Sequence, residues 1–152
     1  MTAVPPSTGR PSVERCALCG ADAVPTAPGE QPARECAVCG WVVSYVPDAE
    51  LPRPRVDVVY YLRWHDRIKI GTSSQPRRRV AAIRHEELLA FEPGDRVVER
   101  ARHAQFAHLR EGGEWFRADA ELVAHANRLA AGGSPWEHYA RWVAEALRRT
   151  VS

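Results

Sequence analysis

At 152 residues the chain has room for one domain of ordinary size, or for a smaller domain with an appendage, and its 45% apolar content suffices for a core. No apolar run approaches the roughly 18–20 residues of a membrane span, and no basic-then-apolar leader opens the chain, so a cytoplasmic protein without a membrane partner is the expectation. The formal net charge of +2 is unevenly spread: residues 1–50 carry three basic and six acidic side chains, residues 51–131 fifteen and eleven, and residues 132–152 three and two. That is a mild nucleic-acid footprint on the middle segment, which a solvated arginine-rich surface explains almost as well. One lysine against twenty arginines, with abundant alanine, points to a GC-rich bacterial source.

Residues 1–12 have nothing to bury and are expected to be a disordered tail. The four cysteines follow in a region expected to span 13–48. Cys16-Ala17-Leu18-Cys19-Gly20 and Cys36-Ala37-Val38-Cys39-Gly40 form two C-x2-C pairs sixteen residues apart. Two intervening residues let both sulfurs of a pair face one ion, and the glycine lets the backbone turn around it. Four thiolates satisfy tetrahedral zinc and leave no position for a substrate, so the implied site is structural. The segment between the pairs is too polar and proline-rich for a core, and Trp41–Val46 can form a strand. This is the layout of a zinc ribbon, whose metal supplies folding free energy that so small a core lacks. Two disulfides, an iron–sulfur site or a redox pair are the competing readings of the same four residues.

Residues 49–55, with Leu51-Pro52-Arg53-Pro54-Arg55, read as an extended linker, because alternate prolines disfavour helix. Beyond it, Val56–Arg63 alternates as a strand with Val56, Val58, Tyr60 and Leu62 on one face. His65-Asp66 suits a hairpin turn, and Arg67–Ile70 alternates again until Gly71 permits an exit from the sheet. Pro76 suits the first turn of a helix running to about His85. Glu87–Glu92 reads as a third strand, ended by Pro93-Gly94. Asp95 is an N-cap for a helix from Arg96 to about Arg110 that Gly112-Gly113 terminates. Asp119 caps a further helix to about Ala131, and Ser134-Pro135-Trp136-Glu137 is a capping box that opens a helix to about Arg149. That last helix, in the segment 132–152, places Trp136, Tyr139 or Ala140, Val143 and Leu147 near one stripe. The stripe is expected to pack on the domain, with a homodimer contact as the alternative.

Tyr60 with a branched residue before it and Leu62 beyond, then Ile68-Lys69-Ile70-Gly71 and Arg79, resembles the GIY-YIG endonuclease superfamily, in the phage and bacterial branch that has Lys-Ile-Gly where the founding motif has Tyr-Ile-Gly. Gly94-Asp95, Glu99, His103, Phe106 and Gly113-Glu114-Trp115-Phe116 resemble the second half of that branch, so the similarity covers about residues 56–130. It implies an α+β fold over 56–131 with a small three-stranded antiparallel sheet flanked by helices, preceded by the zinc ribbon. It further implies that Tyr60 holds or deprotonates the attacking water, that Arg79 stabilises phosphoryl oxygens, and that Glu99 binds magnesium or manganese. Lys69 replaces the second motif tyrosine and could lower the Tyr60 pKa or bind a phosphate oxygen. The register of the usual helix histidine falls on Ile83, and His103, four residues after Glu99, is the candidate to compensate. Glu114 corresponds by position to a late asparagine of many members. Taken singly, Tyr60 reads as core, Arg79 as solvated surface and Glu99 with His103 as a helical pair; taken in order, they read as one site. The resemblance thus implies a metal-dependent DNA endonuclease, and the alternative is a non-catalytic zinc-ribbon nucleic-acid-binding or adaptor protein that keeps the nuclease fold.

Overall fold

The computed structural model describes residues 15–22, 35–41 and 54–151, and contacts divide the chain into the units Met1–Leu51 and Pro52–Ser152. The expected tail, the segment between the cysteine pairs, the strand expected after Trp41 and the first part of the linker lie outside the described residues. Among the described residues no helix is long and apolar enough to cross a membrane.

The second unit is organised on β1 (Val58–Trp64), whose first five residues are all apolar or aromatic and all buried. A strand with apolar residues on both faces can be satisfied only in the interior of a sheet covered on both sides. That is its position. It pairs antiparallel with β2 (Arg67–Ser73) through the His65-Asp66 turn, where His65 has a φ of 54°, and antiparallel with β3 (Glu87–Pro93) on its other edge. On one face Val58, Tyr60 and Leu62 pack with Phe91 and with Val80 of α1 (Pro76–Ala82), closed over by Trp136, Tyr139 and Trp142 of α4 (Pro135–Val151). The Phe91 and Trp136 rings meet edge to face at 4.9 Å, and the Arg77 guanidinium covers Trp136 from α1 at 5.0 Å. On the other face Val59, Tyr61, Ile68 and Ile70 pack with Phe106, Leu109 and Phe116, under Val98 of α2 (Arg96–Gln105) and Leu122 of α3 (Ala120–Ala130).

The sheet has five strands, in the order β3-β1-β2-β5-β4, rather than the expected three. The added pair is β4 (Arg110–Gly112) and β5 (Trp115–Arg117), in residues read from the sequence as the end of a helix and its glycine stop. Phe106 explains the difference. It is fully buried and leaves helical dihedrals at φ −106°, so α2 ends five residues early and a 3-10 turn over Ala107–Leu109 drops Leu109 into the core. The chain then reverses through Gly113, at φ 55°, and β5 pairs with β2 with Phe116 opposite Ile68. Two other expectations are corrected. The helix expected to reach His85 stops at Ala82 because Ile83 is extended and packs on the Val58–Leu62 face. Gly71 does not end a strand: β2 runs on to Ser73 and Gly71 lies opposite Tyr60.

Tyr61 carries its hydroxyl into the interior, where it needs partners. It donates to the buried Glu92 carboxylate at 2.8 Å and lies 3.1 Å from His125 Nε2, while Arg102 of α2 donates to the same carboxylate from Nε at 3.0 Å and from its terminal nitrogen. Burial raises the Glu92 pKa, but the bonds from Arg102 and Tyr61 outweigh it and hold the carboxyl below its ordinary value. The group stays ionised, and ties α2 and α3 to the sheet.

Candidate functional site

In the first unit, two short knuckles bring the four cysteines together. The backbone N–H of Gly20 donates to the Cys16 carbonyl at 2.8 Å, and that of Gly40 to the Cys36 carbonyl at 2.7 Å; both glycines sit at φ 76°, the left-handed region that a side chain disfavours. The four sulfurs all lie within 4.8 Å of one another, with Cys16 to Cys39 and Cys19 to Cys36 each at 3.6 Å. Zinc–sulfur bonds of about 2.3 Å in a tetrahedron place sulfurs about 3.8 Å apart, so this donor set fits one such ion. The four thiols are free, and their separations are far from the roughly 2.05 Å of a disulfide. Burial pushes the Cys19 and Cys39 thiols up, a cost that a bound cation reverses. Cys16, Cys19, Cys36 and Cys39 are thus placed to hold zinc, and all four positions are taken by protein.

The second site forms where the sheet stops being complete. β5 pairs with β2 over Arg67–Lys69, and the Ile70 N–H still donates to the Glu114 carbonyl at 3.0 Å; past Ile70, no strand among the described residues pairs with the outer edge of β2. Elements from both layers reach that edge. A cleft of about 470 Å³ opens there, lined by Tyr60, Thr72, Arg79, Arg96, Glu99, Arg100 and Glu114. Tyr60 reaches it because Gly71 has no side chain: a Cβ at Gly71 would fall on the Tyr60 hydroxyl. Arg79, from the last turn of α1, points its Nε at the Tyr60 oxygen at 3.4 Å. Glu99 projects from α2, whose first turn is fixed by Asp95 Oδ1 accepting from the Val97 N–H at 2.9 Å.

The electrostatics of these groups are distinct. Burial raises the Tyr60 pKa above that of an ordinary phenol, and the bond and charge of Arg79 offset only part of it. Tyr60 is therefore a neutral phenol at physiological pH, and with an Arg79 N–H on its oxygen its own proton remains to be donated. Burial also raises the Glu99 carboxyl, followed by repulsion from Glu114 across the cleft. Two carboxylates facing the same space, with several arginines around them, form a site that favours a cation between the acids and anionic oxygens at its rim.

Of the residues singled out in the sequence, Tyr60, Arg79 and Glu99 line this one cleft. Lys69 stands beside it: its Nζ lies 3.5 Å from Glu114 and 5.3 Å from the Trp115 ring centre. His103 is behind Glu99, with Nε2 2.8 Å from the Ile70 carbonyl and 3.9 Å from the Glu99 carboxylate. A carbonyl can only accept, so Nε2 carries a proton and anchors α2 to the open edge of β2. Thr72, Arg96 and Arg100 were not anticipated. A helical reading of α2 holds the missed signal, since Arg96, Glu99, Arg100 and His103 follow at the one-face spacing of three, four and seven.

Residues 57–130 match the T5orf172 domain. The match runs from the residue before β1 to the last residue of α3 and so includes every lining residue of the cleft; the cysteine pairs and α4 lie outside it. The description is that of the T5orf172 domain and does not carry the GIY-YIG name. No curated protein and no solved structure gives a significant match.

Proposed function

We propose that this protein is a metal-dependent endonuclease that hydrolyses phosphodiester bonds in DNA, with the cleft at the open edge of β2 as its active site. The observation that carries the proposal is the convergence of Tyr60, Arg79 and Glu99, from a strand and two helices, on one cleft inside the segment that matches the T5orf172 domain, which is related to nuclease-like folds. Cleavage requires a positioned water in line with the departing oxygen and donors for the charge on the phosphoryl oxygens. Tyr60 hydrogen-bonds and orients that water. Arg79 both fixes the Tyr60 oxygen and offers its remaining guanidinium donors to a phosphoryl oxygen. Glu99, with Glu114 opposite, would hold magnesium or manganese, which supplies Lewis-acid polarisation of the phosphate and of bound water. Lys69 holds Glu114 in place through their ion pair, and His103 holds the Glu99 helix against β2. The cysteine cluster acts as a structural support for a second contact surface on DNA.

A neutral Tyr60 is a weak base, and this favours a second reading in which the cleft binds nucleic acid without cutting it. Plasmid nicking by purified protein with magnesium or manganese, compared with Glu99→Gln and Tyr60→Phe, separates the two. Nicking by the wild type that both substitutions slow by about 100-fold or more supports the nuclease. A wild type that retards DNA in a gel and never nicks it leaves the binding reading.

A further inference from the structure

We propose that Arg96 and Arg100 grip the phosphate next to the one undergoing hydrolysis, so that the cleft holds a nucleic-acid strand across at least two consecutive phosphates. This rests on the phosphodiester cleavage proposed for the same cleft, and it adds residues to which that reaction gives no part.

Three observations carry it. The cleft, at about 470 Å³, falls within the roughly 300–1,000 Å³ of sites that enclose whole ligands, and one phosphate would leave most of it empty. Arg96 and Arg100 both line it, are exposed, and stand one turn apart on α2, about 6 Å along the helix axis. Finally, the cations around them are committed while these two are not. Arg79 bonds Tyr60, Lys69 pairs with Glu114, and Arg102 is bound into Glu92. Among the described residues, Arg96 and Arg100 make no hydrogen bond or ion pair, and their charge acts on Glu99 through space.

Two unpaired guanidiniums cost little while solvent reaches them, and their planar donors match phosphate oxygens in pairs. Their placement on either side of Glu99 along the helix fixes their distance from the reacting phosphate. The contact is to the backbone, so it carries affinity and register and does not read bases.

The test is equilibrium binding by fluorescence anisotropy, with the full chain in a Glu99→Gln background so that the probe stays intact. The probes are a labelled 20-nucleotide single-stranded DNA, its duplex and the RNA of the same sequence, over a range of salt concentrations. Each phosphate contact contributes about 0.7–0.9 to the slope of log affinity against log salt. Arg96→Ala with Arg100→Ala gives up that one phosphate and is therefore expected to lower the slope by about 0.7–0.9 on the preferred probe and to weaken binding on the order of tenfold at moderate salt. Arg96→Lys with Arg100→Lys keeps the charges and is expected to restore most of the slope. An alanine variant with the slope of its parent overturns the inference and leaves the nuclease reading intact. So does a slope that the lysine variant fails to restore, because the loss is then structural. A parent that binds none of the three probes overturns both the inference and the proposed function.

Discussion

Gly71→Ala isolates the link between fold and site. The built Cβ would fall on the Tyr60 hydroxyl and lie 2.8 Å from the ring carbon Cε2, whereas carbon atoms in contact settle about 3.5–4.0 Å apart. Tyr60 is buried, with Arg79 at its oxygen and Phe91 opposite it on β3, so the ring must shift by roughly 1 Å, or the strands must part. Overpacking of this kind costs about 1–3 kcal/mol, and the entropy gained by removing a strand glycine returns about 0.5–1 kcal/mol. The net loss of stability is therefore small, about 0–2.5 kcal/mol. Catalysis is less forgiving, because a displacement of about 1 Å in a reacting group costs on the order of 100-fold in rate, equivalent to about 2.7 kcal/mol of barrier. Urea unfolding and nicking rate, measured on the same preparation, are expected to diverge, with a modest fall in midpoint and a rate near that of Tyr60→Phe. Because both substitutions act through one hydroxyl, the double variant should be no slower than Tyr60→Phe alone. Wild-type nicking by Gly71→Ala, or losses that multiply in the double variant, would refute the reasoning.

The buried Glu92 makes stability depend on pH. Its folded pKa lies below the unfolded value of 4.5, so its contribution is complete above pH 4.5 and is lost as pH falls through the folded value. Burial, with the Arg102 charge, also lowers the His125 pKa below 6.5, so the first loss of stability is expected as pH drops below 6.5. Glu92→Gln removes the counter-charge of Arg102, which is 29% exposed, and is expected to cost about 2–4 kcal/mol at pH 7 and to flatten the acid limb in urea titrations; an unchanged midpoint would rule this out. Elemental analysis is expected to find one zinc per chain, and Cys39→Ser to lose it; iron, or no metal, in the wild type would overturn the zinc assignment. Asp95→Ala removes the cap of the helix that carries Arg96, Glu99 and Arg100, and is expected to cost about 1 kcal/mol in thermal or urea unfolding, with no loss if the cap is dispensable.

The parts of this protein that are local in the chain were legible from residues alone. The two knuckles follow from C-x-x-C-Gly, because a glycine in the left-handed region decides that turn without help from elsewhere. The β1–β2 hairpin follows from alternation about His65-Asp66, and the start of α2 from the Asp95 cap. The resemblance carried by Tyr60, Arg79 and Glu99 named three residues that do share a cleft.

Other features belong to the tertiary structure. β4 and β5 are three residues each, too short for a period of two to show, and they exist because β2 offers an edge to pair with and Phe106 has a core to enter. The same pairing stops short of Gly71, and this creates the open edge at which the cleft forms. The direction of Lys69 toward Glu114 and Trp115, the use of His103 to bind a strand carbonyl, and the entry of Arg96 and Arg100 into the cleft all depend on that edge. Sequence spacing specifies which residues share a face of one element. What that face meets is decided by contacts between residues far apart in the chain, whose energies appear only once the sheet is assembled and its two faces are covered.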